Sequence, residues 1–302
     1  GTITATDADN DSLTYSLSAV TSSIGDVEKL QIDSSSGILT FKEASDFEDA
    51  NSFTFFVTAS DGTRSDTEQI TVTVVDANDD PIFTSSTDDD GNLVFSADEN
   101  QRSIGTVTAT DQDGDSLTFT ITDGSTEMQI TSGGVLSFTQ SELPDYETRS
   151  VYGGSNDSTG AGFVVTVSDG QTTSENNIVV NINNLNDNSP VITSSASFTA
   201  DENQTAIGTV VATDADGDTL IFSSSDTNIP INSSSGVLSF ATAPDYEMQS
   251  TYTVTITVSD GNPGATGTNS TTQEITITII DLDDVSSTCV YEQDDYNTCN
   301  FE

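Results

Sequence analysis

The stretch TYTVTITVSDG at 251–261 alternates apolar side chains with threonine and serine. A two-residue period in β-branched and aromatic residues is typical of a strand that buries one face. The same alternation recurs in SFTFFVTAS at 52–60, GFVVTVSDG at 162–170 and QEITITIIDLDD at 273–284. No segment carries a sustained helical period of apolar residues, and no apolar run is long enough for a transmembrane helix. The sequence therefore predicts an all-β fold.

The composition is dominated by acid. The chain has 302 residues with 50 acidic and 5 basic side chains, which gives a formal net charge of −45. A field of this sign repels nucleic acid and anionic membrane surfaces and attracts cations. Histidine is absent, so the usual general base and a common zinc ligand are missing. Abundant carboxylate oxygens favour hard cations such as Ca²⁺ or Mg²⁺.

An aspartate ladder recurs three times, as TDADND at 6–11, TDQDGD at 110–115 and TDADGD at 213–218. The steps between the ladders are 104 and 103 residues, and the flanking motifs recur in register. About a hundred residues with several short strands is the size of one immunoglobulin-like sandwich. We therefore predict three tandem Greek-key β-sandwiches in a linear rod. The predicted boundaries are 1–80 for repeat one, 81–188 for repeat two, 189–284 for repeat three and 285–302 for an acidic tail.

Further acidic motifs recur in a fixed order. A DE element follows the first strand in SADENQ at 96–101, and DYE at 145–147 lies in mid-repeat. A late SDG, a DxNDN-like linker and the DxD of the next ladder complete the pattern. This order of motifs, which covers about residues 1–284, resembles the cadherin repeat. The DxDGDxLxF version is more similar to cadherin-like repeats of microbial surface proteins than to vertebrate adhesive cadherins. Repeat one lacks its first strand and the DE element, so it is incomplete at its N-terminus.

The resemblance implies that calcium ions bind between successive repeats, with ligands from both neighbours and from the linker. For joint one, between repeats one and two, the matching residues are Asp46, Glu48, Asn78, Asp79, Asp80, Asp111, Asp113 and Asp169. For joint two, between repeats two and three, they are Glu99, Asp145, Glu147, Asn186, Asp187, Asn188, Asp214, Asp216 and Asp260.

Half of a joint is expected at each end of the repeat array. Repeat one presents Asp7, Asp9 and Asp61, whereas repeat three presents Glu202, Asp245, Glu247, Asp281, Asp283 and Asp284. Further repeats of the same chain, or a second copy stacked head to tail, would complete these halves. Alternatively, another copy supplies the missing first strand of repeat one by strand addition.

Two groups of residues leave alternatives open. The third aspartates of the ladders, Asp11, Asp115 and Asp218, lie in hairpin-like turns where short polar residues are ordinary, so a turn role is favoured over a ligand role. In the tail, Cys289 and Cys299 could close a disulfide loop in an oxidising, extracellular setting. The alternative is a pair of reduced thiols.

The function that these features favour is structural. We expect an extracellular, cell-surface rod, stiffened by Ca²⁺, that serves adhesion or builds a filament or matrix, with a cell-surface protein or glycan as a further partner. The alternative is a carbohydrate-binding or spacer module of a larger secreted enzyme. Catalysis by this chain is not expected, because a paired-carboxylate hydrolase needs one acid–base pair in a cleft. Here the carboxylates come in repeated sets.

Overall fold

A computed structural model describes residues 1–20, 28–123, 126–139, 143–154, 162–261 and 269–283. Within these ranges the regular elements are β-strands, and they include no α-helix, so the all-β prediction is confirmed. The described residues accordingly contain no helix that could cross a membrane.

The strands fall into three successive sets. Set one contains β1 (Thr14–Ala19), β2 (Leu30–Ile32), β3 (Leu39–Phe41), β4 (Ser52–Ser60) and β5 (Ser65–Thr73). Set two contains β6 (Ile82–Phe83), β7 (Leu93–Asp98), β8 (Ser103–Thr106), β9 (Ala109–Thr110), β10 (Thr118–Asp123), β11 (Met128–Ile130), β12 (Val135–Phe138), β13 (Val151–Tyr152), β14 (Val164–Ser168) and β15 (Thr173–Asn183). Set three contains β16 (Val191–Ile192), β17 (Ser197–Asp201), β18 (Ala206–Thr209), β19 (Ala212–Thr213), β20 (Ile221–Ser224), β21 (Val237–Ser239), β22 (Thr251–Ser259) and β23 (Ser270–Ile280).

Each sheet of the described chain draws its strands from a single set. Set three forms a sheet in the order β17-β23-β22-β20, in which β17 runs parallel to β23, and two ribbons, β18-β21 and β16-β19. Set two forms β10-β14-β15-β13, with β7 also on β15, as well as β11-β12-β8 and β6-β9. Set one forms β1-β4-β5 and β2-β3. This division agrees with the tandem sandwiches that the sequence repeats predict.

Set one has a smaller main sheet than the other two sets. In set one, as far as it is described, β5 pairs with β4 alone, whereas β23 pairs with β22 and β17, and β15 pairs with β14, β13 and β7. The described part of set one therefore contains no strand that occupies the place of β7 or β17.

The alternating sequence pattern produces the cores. In β22, Val254, Ile256 and Val258 are buried, whereas Thr251 and Thr253 on the other face are exposed. Burial of an aliphatic side chain contributes about 1.5 to 3 kcal/mol. The inward apolar residues therefore supply the stability of each sandwich, and the outward hydroxyl groups leave the other face of the sheet hydrated.

The described residues form two compact units. Unit 1 contains Gly1–Ser96, Arg102–Glu142 and Val151–Asn181, and unit 2 contains Ala97–Gln101, Leu143–Ser150 and Ile182–Glu302, as far as these ranges are described. The two short segments of unit 2 include Glu99, Asp145 and Glu147. The residues expected at joint two thus lie together in unit 2, and those expected at joint one lie together in unit 1.

A glycine turn recurs in all three sets. Gly37 has a φ of +68°, and its carbonyl oxygen accepts a hydrogen bond of 2.9 Å from the Ile3 amide. Gly134 and Gly236 have the same left-handed backbone. A Cβ at position 37 would lie against the carbonyl oxygen of Ile3, which belongs to the backbone and cannot move aside cheaply. Glycine is therefore required both by the dihedral angle and by the close approach.

We predict that Gly37→Ala destabilises the set-one sandwich by about 1 to 3 kcal/mol. Gly62→Ala is the matched control, because Gly62 also has a positive φ, +90°, but a Cβ added there would meet no atom within 4 Å. Calorimetry of the full chain should show the larger loss of melting temperature for Gly37→Ala. Equal losses in the two variants would show that the backbone contact does not contribute.

Candidate metal centres

Four carboxylates converge at joint two. Oxygens of Glu99, Glu147, Asp187 and Asp216 all lie within 4.8 Å of one another. Glu99 follows β7, Glu147 precedes β13, Asp187 lies between β15 and β16, and Asp216 follows β19. Segments far apart in sequence therefore bring their acidic side chains to one point inside unit 2.

Glu99 is held in place by backbone amides. This side chain is 2% exposed, and its Oε2 accepts a hydrogen bond of 2.8 Å from the Tyr146 amide. Its Oε1 accepts one of 2.6 Å from the Leu185 amide. The buried glutamate thereby connects the DYE loop of repeat two to the linker that follows β15.

Asn188 lies among the carboxylates of joint two. Its side-chain amide donates to Asp187 at 2.8 Å, to Asp216 at 2.9 Å and to Glu147 at 3.2 Å. Its backbone amide donates to Asp216 Oδ2 at 2.9 Å. One amide group cannot neutralise several carboxylates, so the cluster keeps a strong negative field.

That field shifts the pKa values at joint two. Burial, together with the charges of Glu99 and Asp216, raises the pKa of Glu147 to about 7. Burial also raises the pKa of Asp214, and the charges of Asp216 and Asp260 add to this rise. Both shifts have the sign expected where carboxylates crowd one another.

The third ladder adds a second group beside the first. Oxygens of Asp214, Asp216 and Asp218 lie within 4.8 Å of one another. Asp260, from the SDG motif, is 2% exposed, and its Oδ1 accepts a hydrogen bond of 2.8 Å from the Asn269 amide. Asp214 Oδ2 and Asp260 Oδ2 are buried without a hydrogen-bond partner. Buried oxygens without a donor are rare, and a cation would satisfy them.

The linker is positioned against this second group. The side-chain amide of Asn269 donates to Asn186 Oδ1 at 2.9 Å and to the Asn188 carbonyl at 3.2 Å. Asn269, which directly precedes β23, thereby connects the linker residues Asn186 and Asn188 to the start of that strand.

Joint one repeats the arrangement in unit 1. Oxygens of Glu48, Asp79 and Asp113 lie within 4.8 Å of one another, as do those of Asp111, Asp113 and Asp115. The Asp79 amide donates to Asp113 Oδ2 at 2.7 Å. Asp111 Oδ2 and Asp113 Oδ1 are buried without a hydrogen-bond partner. Joint one therefore offers the same combination of converging and unpaired oxygens.

The pKa shifts at joint one separate two kinds of carboxylate. Burial and the charge of Asp113 raise the pKa values of Asp79 and Asp76. In contrast, the Asn78 side chain donates to Asp169 at 2.8 Å and, with the amides of the following turn, holds the pKa of Asp169 well below its usual range. Asp169 is thus well supplied with donors, whereas Asp79 faces other acids.

Several expected ligands lie outside the converging groups of the described chain. Asp46 accepts the Glu48 amide at 3.0 Å, and Asp145 accepts the Thr148 amide at 3.1 Å, so both stabilise the start of their loops. Asp80 is exposed in the linker of joint one.

The half-joint of repeat three is formed in part. Oxygens of Glu202, Asp245 and Glu247 lie within 4.8 Å of one another. Glu202 is 1% exposed and accepts the amides of Tyr246, at 2.9 Å, and Leu282, at 2.7 Å. A backbone hydrogen bond lowers the pKa of Glu247, but burial and the charges of Glu202, Asp281 and Asp245 raise it overall.

Other residues predicted for this end are less well placed. Asp281 and Asp283 are exposed. Asp284, Cys289 and Cys299 lie outside the described residues.

The half-joint of repeat one does not converge. Within the described ranges, Asp7, Asp9 and Asp61 belong to no group of three neighbouring carboxylates. Asp7 Oδ1 accepts the Asp9 amide at 2.9 Å. Asp61 Oδ1 accepts the amides of Thr63 and Arg64, both at 2.6 Å, and these bonds lower its pKa.

Three further acids lie beside the predicted ligands of the joints. The sequence favours turn roles for Asp115 and Asp218, yet each lies with the other two carboxylates of its ladder. Asp76 is not among the predicted ligands, yet it accompanies Asp113 and Asp79. Its position at the start of the linker motif DANDD was the available signal.

Comparisons with known proteins agree with the sheet topology. The Bacterial Ig domain family matches residues 186–281. The mouse (Mus musculus) protein "Cadherin EGF LAG seven-pass G-type receptor 1" is 30% identical over 280 residues, which are 84% of this chain and 8% of that protein. This chain therefore spans a small part of the relative's length.

Two solved structures resemble the chain over most of its length. The human Desmocollin-1 ectodomain has a TM-score of 0.60 and 20% identity, covering 94% of this chain and 58% of that one. Mouse Cadherin-23 EC22-24 has a TM-score of 0.53 and 21% identity, covering 90% of this chain and 87% of that one. The fold is that of tandem cadherin repeats.

The raised pKa of Glu147 predicts a dependence of stability on pH in the presence of chelator. The folded value, about 7, lies above the ordinary 4.5, so this group stabilises the fold fully below pH 4.5 and the contribution is lost as the pH rises through 7. We expect the melting temperature of unit 2 to rise between about pH 8 and about pH 5. Glu147→Gln should remove part of that rise, and an unchanged pH profile would contradict the assignment.

Proposed function

We propose that this chain of tandem cadherin-like repeats binds Ca²⁺ at joint one and joint two, and that the ions fix successive repeats to each other. The observation that carries the proposal is the convergence of carboxylates from separate chain segments beside buried oxygens that have no hydrogen-bond partner. Calcium takes six to eight oxygen ligands, and carboxylate, amide and backbone oxygens are the types present.

Electrostatics gives the reason why the joints need a cation. Two unit charges at about 5 Å repel by about 1 kcal/mol in water and by about 3 to 4 kcal/mol at an effective dielectric constant near 20. Without a cation, each joint contains several such pairs. A divalent ion converts this repulsion into an attraction that involves residues of both repeats, so the joint becomes stiff.

The residues that would hold the ions follow from the clusters. At joint two they are Glu99, Glu147, Asn186, Asp187, Asn188, Asp214, Asp216 and Asp260, with Asp145 near them in the DYE motif. At joint one they are Glu48, Asn78, Asp79, Asp111, Asp113 and Asp169, together with Asp46 and Asp80 from the same motifs. Glu202, Asp245 and Glu247 would contribute to a third joint with a further repeat or a second copy.

The wider role proposed is that of an extracellular, cell-surface rod of three repeats, 1–80, 81–188 and 189–284, followed by the tail. Adhesion, or assembly of a filament or matrix, suits such a module, and the likeness to cadherin ectodomains supports this role. We expect calcium affinities on the order of 10⁻⁴ to 10⁻³ M, as in other extracellular modules. A disulfide between Cys289 and Cys299 is part of the same proposal, because it would require the same oxidising environment.

Removal of calcium should loosen the rod. Small-angle X-ray scattering of the full chain in excess Ca²⁺ should show an extended, stiff particle, and addition of chelator should make it flexible and shift the distance distribution. Far-ultraviolet circular dichroism should stay almost unchanged, because the apolar cores are separate from the joints. A scattering curve that chelator does not alter would contradict the proposal that ions stiffen the joints.

Loss of one joint carboxylate should weaken calcium binding without unfolding a sandwich. We expect Glu147→Gln to lower the affinity of joint two for Ca²⁺ by roughly tenfold or more, measured by isothermal titration calorimetry. Glu274→Gln is the matched control, because Glu274 is exposed on β23 and the charge change is the same. Equal effects of the two substitutions would show that net charge, and not the site, governs binding.

A further inference from the structure

We propose that the third aspartate of a ladder, Asp115 at joint one and Asp218 at joint two, is itself a calcium ligand, so that each of these ladders is a cation-binding loop within a single repeat. The inference rests on the proposed function and extends it to residues for which the sequence favoured a turn role.

The first reason is the convergence of the three carboxylates. In an extended strand, alternate side chains on one face are spaced by about 6.5 to 7 Å, so the first and fifth residues would be about 13 Å apart. In the ladder, the oxygens of Asp214, Asp216 and Asp218 instead lie within 4.8 Å of one another. Gly217, with a φ of +79°, turns the backbone between the second and third aspartates. Gly114, with a φ of +78°, does the same at joint one.

The second reason is that a turn does not require this convergence. The first ladder forms the same turn, with Asn10 at a φ of +63° and the Asp11 amide donating to Asp7 Oδ1 at 3.0 Å. Yet in the described chain no converging group of three carboxylates contains Asp7, Asp9 or Asp11. The turn bond uses the backbone amide of the fifth residue and leaves its carboxylate free to point away. In the other two ladders that carboxylate lies beside two like charges.

The third reason is the presence of unpaired buried oxygens at the same place. The Asp260 side chain is 2% exposed, its Oδ2 has no hydrogen-bond partner, and it lies close enough to Asp214 for the two charges to interact. Asp214 Oδ2 is also without a partner, as are Asp111 Oδ2 and Asp113 Oδ1 in the other ladder. These oxygens are independent of the turn, and a hard cation is the ligand that satisfies them.

The two groups at each joint share one residue. Asp216 belongs both to the ladder and to the cluster with Glu99, Glu147 and Asp187, and Asp113 has the same double membership at joint one. The ladder ligands of a loop site that uses the third aspartate would therefore all come from the later repeat. Its ion would lie next to the ion that connects the two repeats.

The test is calcium titration of the full chain by isothermal titration calorimetry, starting from chelator-treated protein. Asp218→Asn keeps the backbone amide that bonds Asp214 and removes the charged ligand, so the turn is preserved. We expect it to weaken one class of sites by roughly tenfold or more. Asp115→Asn should act alike at joint one. Asp11→Asn is the matched control, because it changes the same ladder position where the carboxylates do not converge, and it should leave the titration unchanged.

The outcomes separate this inference from the proposed function. If wild-type protein binds Ca²⁺ and Glu147→Gln weakens binding, but Asp218→Asn and Asp115→Asn titrate as wild type, the third aspartates are turn residues and the inference is overturned. If Asp11→Asn weakens binding as much as Asp218→Asn, the effect is one of general charge, and the inference fails as well. If wild-type protein binds no Ca²⁺ at millimolar concentration, the proposed function fails. Melting temperatures in chelator that are no lower than that of wild type show that the variants are folded, since loss of one of several repelling charges does not destabilise the fold.

Discussion

Repulsion between carboxylates held close together is the constraint on which the organisation of this chain depends. The chain carries a net charge of −45 on 302 residues and also buries apolar cores. The sequence places the acidic residues and the apolar core residues at different positions of the fold. Along β22 and β23, apolar residues point inward and threonines point outward, so the sheets carry little charge. The acids are concentrated in loops and linkers, where they crowd one another at the ends of the sandwiches.

In these loops the pKa values of aspartates shift in two opposite directions. Asp33 and Asp88 accept hydrogen bonds from neighbouring hydroxyl and amide groups, Ser35 and Asn92 foremost, and their pKa values are lowered. Asp76 and Asp79 face burial and other carboxylates, and their pKa values are raised. Donors supplied by the chain are therefore sufficient in the isolated turns and insufficient at the joints. This contrast identifies the joints as the places where an additional positive partner has an effect.

Much of this arrangement could be predicted from the sequence. The alternation in TYTVTITVS identified a strand because its period is a direct consequence of pleated geometry. The fixed steps between ladders identified the repeats, and the DxE and linker motifs located Glu48, Glu147, Asp79 and Asp187 at the joints. Convergence could not be predicted in detail. Asp145 and Glu147 belong to one motif, yet only Glu147 lies in the cluster of joint two, whereas the equivalent Asp245 and Glu247 both lie in the group with Glu202. The sequence likewise does not distinguish Asp218, whose carboxylate converges with two others, from Asp11, whose carboxylate does not in the described chain, because both occupy the third position of a ladder.

The buried glutamates explain how further repeats can be added to such an array during evolution. Glu99 bonds the amides of Tyr146 and Leu185, and Glu202 bonds those of Tyr246 and Leu282 in the same way. Each glutamate thus gathers a mid-repeat loop and the outgoing linker with one carboxylate, before any residue of the next repeat takes part. One repeat prepares the lower side of a junction, and the ladder of the next prepares the upper side. Gene duplication of a whole repeat would therefore copy both interfaces at once, and the product would match its neighbours without any compensating substitution.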